Sequence, residues 1–163
     1  MIRKALRSDH HKAAEKLMVK DEMRFASDPP ILTPIEQMDL AAGRSREEVL
    51  EALAPIRRAY RESLPHARRH LLEQYELHDV ARKVVGVGSV GTRCYVALFS
   101  GCDPNDILIL QAKQACKSVI EEVLPMPKPF SNHGERVVAG QQILQATHDI
   151  FLGFSPGAER AGK

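Results

Sequence analysis

The 163-residue chain has almost no excess of charge, with Lys+Arg 23 against Asp+Glu 21, a formal +2. Without a global positive field, nothing general draws it to nucleic acid or to an anionic membrane, and neither is expected as a partner. It lacks any apolar run near the ~20 residues that a membrane-spanning helix requires. Cysteine is scarce: Cys94, Cys102 and Cys116 are an odd number with no CxxC spacing. That excludes a disulfide framework and a zinc-ligand pattern, so reduced thiols and no structural metal are expected. The opening MIRKALRSDHHKAAEK lacks the apolar stretch of a secretion signal, and with the thiols this gives a cytoplasmic expectation. What is present is ordinary: 44% hydrophobic and 27% charged residues, the balance of a globular protein of about one domain with room for a core.

Composition changes near residue 83. Residues 1–83 carry 16 Lys/Arg and 14 Asp/Glu, and residues 84–163 carry 7 and 7. The charge-dense part suits exposed amphipathic helices, and the Val/Ile/Gly/Pro-rich part suits a sheet with turns. We therefore expect a mainly helical segment over 1–82, a sheet with helices over 83–154 and a tail over 155–163. Residues 3–24 read as a polar helix stopped by Asp28-Pro29-Pro30, and Ile31-Leu32-Thr33 as a short extended piece. Ser45 and Glu48 form a capping box. The helix after it carries Val49, Leu50, Leu53, Ile56 and Tyr60 at helical spacing, with Pro55 kinking or dividing it. Pro65 starts a helix whose apolar stripe is Leu71, Leu72, Tyr75 and Leu77.

From Lys83 the period shortens. Lys83 to Gly88 reads as a strand running into glycines, Thr92 to Phe99 as a second strand, and Ile107 to Lys113 as a third. The continuous apolar run of the third predicts burial on both faces. A short helix should then turn Val119, Ile120, Val123 and Leu124 inward. Asn132, with Glu135 three residues on, should cap a helix with Val137, Val138, Leu144 and Phe151 on its apolar face, and Gly140 within it should mark close packing. Ile150 to Phe154 reads as a fourth strand. The fold class is thus α+β: a small antiparallel sheet of three to five strands with helices, preceded by a helical segment.

One motif carries chemistry. Gly86-Val87-Gly88-Ser89-Val90-Gly91 is a G-x-G-x-x-G followed by a strand, whereas a dinucleotide fold needs a helix there. A glycine-rich hairpin between strands is instead the arrangement of kinase-like nucleotide binders, in which bare backbone approaches phosphates. The third strand ends at Lys113, where such a lobe places the ammonium that holds the phosphates, and Glu121 or Glu122 on the next helix could pair with it. The candidate nucleotide-binding set is therefore Gly86, Gly88, Ser89, Gly91, Lys113 and Glu121, with ATP and magnesium as ligand. The competing reading is a non-catalytic interaction module whose glycine hairpin is purely structural.

The stretches DPPILTPI, RRHLLEQYELHDVARK, VARKVVGVGSVGTRCYVAL, ILQAK and GERVVAGQQILQATHDIFLGF resemble the bacterial family named domain of unknown function 2252, over about Ala26 to Phe154. That family is similar to the protein-kinase-like superfamily, so the resemblance implies the small, N-terminal lobe of such a fold. Carried over by position, Gly86, Gly88 and Gly91 match the glycine loop, Lys113 the strand lysine and Glu121 its partner. Arg136 and Gln141 fall in the G-x-RVV-x-GQ segment without an implied role. Two departures stand out: Gln114 replaces a usual glutamate, and Lys113 and Glu121 are closer in sequence than in protein kinases. The family's G-D-x-H-x-x-N-like and D-x-N-D-F-D-like segments, which look catalytic and metal-binding, are not in this sequence. The resemblance thus implies a truncated member without activity of its own, and an Ile150–Phe154 edge that recruits a second copy. His66 and His70, four apart, flank Arg68 and Arg69 and read as a solvated helix face rather than a metal site. The cluster Arg57, Arg58, Arg61, Arg68 and Arg69 is interleaved with Glu62, Glu73 and Glu76 and reads as a salt-bridged surface.

Overall fold

The computed structural model describes residues 17–19, 22–38, 43–86, 91–103, 106–124 and 129–156. Among them it is α+β, with one four-stranded antiparallel sheet and five α-helices. The chain divides into two units, residues 1–52 with 74–113, and residues 53–73 with 114–163.

The first unit holds the sheet. Strands β1 (Leu32–Pro34), β2 (Glu76–Lys83), β3 (Cys94–Ser100) and β4 (Ile107–Lys113) lie in that order, each antiparallel to the next. One face buries Leu32, Ala81, Val96 and Leu98 against Phe25, with Leu17, Met18, Ile107 and Ile109 around them. Cys94 is buried, as its small apolar character suggests. The β4 residues match the expected strand, but their two-faced burial is not found. β4 is an edge strand, half-buried over Ile107–Leu110 and exposed over Gln111–Lys113.

The strand expected from Lys83 into the glycines lies earlier, at Glu76–Lys83, so the composition change at residues 82 and 83 falls inside β2. This charged stretch can be a strand because its polar groups find partners. The Asp79 carboxylate, buried, accepts from the Phe25 amide at 2.7 Å and its neighbour Val80 at 2.8 Å. Arg46, the first residue of helix α1 (Arg46–Ala52), brings its Nε to 3.7 Å from Asp79 and donates through Nη2 to the Met23 carbonyl at 3.2 Å and to the His78 carbonyl. His78 sits where the β2–β3 register shifts, and its Nε2 lies 2.7 Å from Ser100 Oγ. The Ser45–Glu48 box forms as expected: the Ser45 amide donates to Glu48 at 2.7 Å and the Glu48 amide to Ser45 Oγ at 3.2 Å. The helix expected over 3–24 does not continue to its end, because Met18 bridges Phe25 as antiparallel backbone; residues 3–16 lie outside the described residues.

The second unit is helical: α2 (Ala54–Ser63), α3 (His66–Leu72), α4 (Val119–Val123) and α5 (His133–Leu144). Pro55 stands in the first turn of α2, so the expected division occurs at Leu53. Pro65 is the N-cap of α3, which ends at Leu72. Tyr75 therefore lies between elements and Leu77 in β2, not on a helical stripe. Asn132 Oδ1 accepts from the Glu135 amide at 2.9 Å, the expected cap. The Glu135 carboxylate reaches one residue further back than a standard box, to the Ser131 amide at 2.7 Å and its hydroxyl. No atom lies within 4 Å of where a Cβ on Gly140 would stand, so that glycine marks no close packing.

Two expectations are reversed here. Val119, Ile120, Val123 and Leu124 point outward, with Val119 75% exposed, and of the expected α5 face only Val138 is buried. Ile150–Phe154 is not a strand. The Phe151 amide donates to Asp149 Oδ1 at 2.8 Å and the Leu152 amide to the Asp149 carbonyl at 3.0 Å, which closes a turn. The residues after it are tied to α2, with Tyr60 Oη donating to the Phe151 carbonyl at 2.7 Å and the Phe154 amide to Ser63 Oγ at 2.9 Å. Side-chain partners thus replace a ladder, and the strand edge expected to recruit a second copy does not form.

Candidate functional site

The sheet register brings the candidate groups of the first unit to one end. β2 leaves the sheet at Lys83, β3 enters it at Cys94, and Cys94 pairs directly with Lys113, the last residue of β4. The lysine therefore stands beside the start of β3, the strand that follows the glycine-rich segment of the sequence. Of that segment, Gly86 has φ +36° and Gly91 φ +87°, both in the region that side chains with a Cβ rarely adopt. No atom lies within 4 Å of a Cβ built on either. These glycines are thus required by backbone conformation, not by packing, and space in front of them is open. Gly88 and Ser89, also candidates, lie outside the described residues. The Lys113 side chain is exposed.

Glu121 belongs to the second unit, on α4, and its carboxylate is already engaged. Arg136 of α5 places Nε 3.0 Å from Glu121 Oε1, an ionic contact rather than an aligned hydrogen bond, and donates from Nη2 to the Cys116 carbonyl at 2.7 Å. Both side chains are largely withdrawn from water. Arg136, which had no role by sequence, thus fixes α4 and the segment before it onto α5. The signal that could have found it is its own position: a lone arginine at the start of a helix, four residues after a cap, whose neighbouring acid Glu135 is already engaged by Ser131. Asp79 and Arg46 were also missed; the only hint was an acid set between Leu77 and the apolar pair Val80-Ala81.

Burial holds the Tyr60 phenol well above its ordinary range, with nearby Asp149 adding to the effect. The Tyr75 hydroxyl is also pushed up, by burial first and then by its hydrogen bond to Asp106 at 3.0 Å. His70 Nδ1 lies 3.7 Å from Glu73, and Arg69 donates to the Arg61 and Glu62 carbonyls at 3.1 and 2.8 Å, so part of the basic cluster ties α2 to α3. Among the described residues, no group of three or more His, Cys, Asp or Glu stands together as a metal site, and no helix is long and apolar enough to cross a membrane. Cys94, Cys102 and Cys116 are free thiols.

The sheet order and the Cys94–Lys113 register define an α+β chain whose last strand ends in an exposed lysine beside the start of β3. The chain belongs to the family described as uncharacterized protein conserved in bacteria (DUF2252), whose model matches residues 1–161. No curated protein and no solved structure matches it.

Proposed function

We propose that this chain is the nucleotide-facing lobe of a phosphotransferase-like protein, its four-stranded sheet corresponding to the small lobe of a kinase-like fold. The observation that supports the reading is the Cys94–Lys113 pairing, with Lys113 level with the start of the strand that follows Gly91, and the positive φ of Gly86 and Gly91. Gly86 and Gly91, with Gly88 and Ser89 between them, would let backbone N–H groups approach the phosphates of ATP, and Lys113 would hold them. The open space at Gly86 and Gly91 fits such an approach. A magnesium ion would be carried by the phosphates of the nucleotide. No catalytic base is assigned, and phosphoryl transfer by this chain alone is not expected.

A non-catalytic interaction or structural module is the second reading. It is favoured by the Glu121–Arg136 pair, which already engages the expected partner of Lys113, and by the fact that positive φ alone accounts for Gly86 and Gly91. Calorimetry with ATP and magnesium separates the two. Binding by the native chain that falls tenfold or more in Lys113→Ala supports the nucleotide reading. Absence of binding by the native chain rejects it.

A further inference from the structure

A second lysine shares the sheet end with Lys113. Ala81 pairs with Val96 and Arg82 with Tyr95, so one step further Lys83 comes level with Cys94. Side chains alternate faces along a strand, and directly paired residues share a face. Lys83 is two residues from Ala81, Cys94 is two from Val96, and Lys113 pairs with Cys94. Lys83, Cys94 and Lys113 therefore form one row across three neighbouring strands, on the face that also buries Ala81, Val96 and Leu98. The two lysine backbones stand roughly 10 Å apart, two inter-strand spacings. Between them lies a thiol that is only 3% exposed. Among the described residues, no carboxylate is within ion-pair distance of either ammonium.

Two like charges that share a face beside an apolar floor, with no carboxylate paired to them among the described residues, repel one another and favour an anion that touches both. From the row we infer that Lys83 and Lys113 form a two-point cradle for linked phosphates, selecting a di- or triphosphate over a single phosphate. This rests on the nucleotide reading of the same sheet end and adds to it a residue and a substrate class. Both flexible stems can reach a single phosphate, but its few oxygens and lower charge must then be shared between two ammonium groups that repel one another. A chain of phosphates gives each ammonium its own anionic group.

The test is titration of the full chain with orthophosphate, pyrophosphate, tripolyphosphate and ATP, for the native protein, Lys83→Met, Lys113→Met and Lys83→Arg. Tripolyphosphate binding roughly tenfold or more tighter than orthophosphate is expected, with each Met variant weakening it by roughly tenfold and Lys83→Arg retaining it. ATP binding no tighter than tripolyphosphate would identify the phosphates as the recognised part; much tighter ATP binding with the same Lys83 dependence would place a base contact beside the cradle. Lys83→Met that binds like the native chain while Lys113→Met does not would overturn the cradle and leave the nucleotide reading standing. Equal loss in Lys83→Arg and Lys83→Met would also overturn it, by tracing the effect to packing instead of charge. Failure of the native chain to bind any of the four ligands would reject both.

Discussion

The sheet unit and the helical unit treat their apolar residues in opposite ways. In the first, Leu32, Ala81, Val96 and Leu98 close around Phe25, while Ile35, Val49, Val80, Cys94 and Phe99 are also buried. In the second, among the described residues, only Leu64, Leu72 and Val138 are buried hydrophobics, while Val119, Ile120, Val123, Leu124, Ile143 and Leu144 are exposed. The first unit also neutralises its buried charge at Asp79, through two amides and Arg46. The second has polar side-chain contacts between its elements: Arg136 to Glu121 and Cys116, Arg69 to Arg61 and Glu62, Tyr60 to Phe151, Ser63 to Phe154. Helical spacing marks the residues an element can bury, but the surface that receives them is a separate matter.

Substitutions can break this contrast. Asp79→Ala should have the largest effect, roughly 3–5 kcal/mol, because it removes the carboxylate opposite the Arg46 charge and the acceptor of the buried Phe25 and Val80 amides. Chemical denaturation followed by circular dichroism would measure it, and a loss below 1 kcal/mol would show that the knot is not needed. Leu98→Ala, at a fully buried site, should cost roughly 2–5 kcal/mol. Leu144→Ala, at a residue 86% exposed, should stay within about 0.5 kcal/mol. Equal losses at the two positions would erase the distinction between the units. Tyr60→Phe comes next, at about 1 kcal/mol, by deleting one donor to the Phe151 carbonyl. The effect should be confined to the helical unit, and hydrogen exchange of amides near Phe151 would report it.

The sequence was most legible where local chemistry decides the outcome. Ser45–Glu48 and Asn132 cap their helices, Pro55 and Pro65 sit at helix starts, and Ile107–Lys113 is a strand, because each depends on residues a few positions apart. Strand β2 was misplaced because its Asp79 looks unsuited to a buried strand until distant Arg46 and Phe25 supply partners. Ile150–Phe154 has strand-forming residues, but Asp149 turns the chain and Tyr60 and Ser63 supply its hydrogen bonds instead of a neighbouring strand. At the candidate site, the glycine-rich segment and Lys113 could be read along the chain. The row that adds Lys83 could not, because it exists only once β2, β3 and β4 are in register.

The smallest expected effect concerns the start of α5, where a local device can be isolated from both cores. Hydrogen bonds from the Ser131 hydroxyl and then its amide hold the Glu135 carboxyl below its ordinary value of 4.5. Its folded pKa is therefore depressed relative to the unfolded chain, so its stabilisation is complete above the ordinary carboxylate range. That contribution falls away as pH drops through the lowered folded value, where both states are protonated. Glu135→Gln keeps the shape but not the charge, and should weaken α5 slightly at neutral pH while removing this part of the acid dependence. Melting curves of the two chains from pH 7 down to pH 3 should start apart and converge. Curves that remain parallel would assign the Ser131–Glu135 contact to hydrogen bonding alone and leave the helix start insensitive to acid.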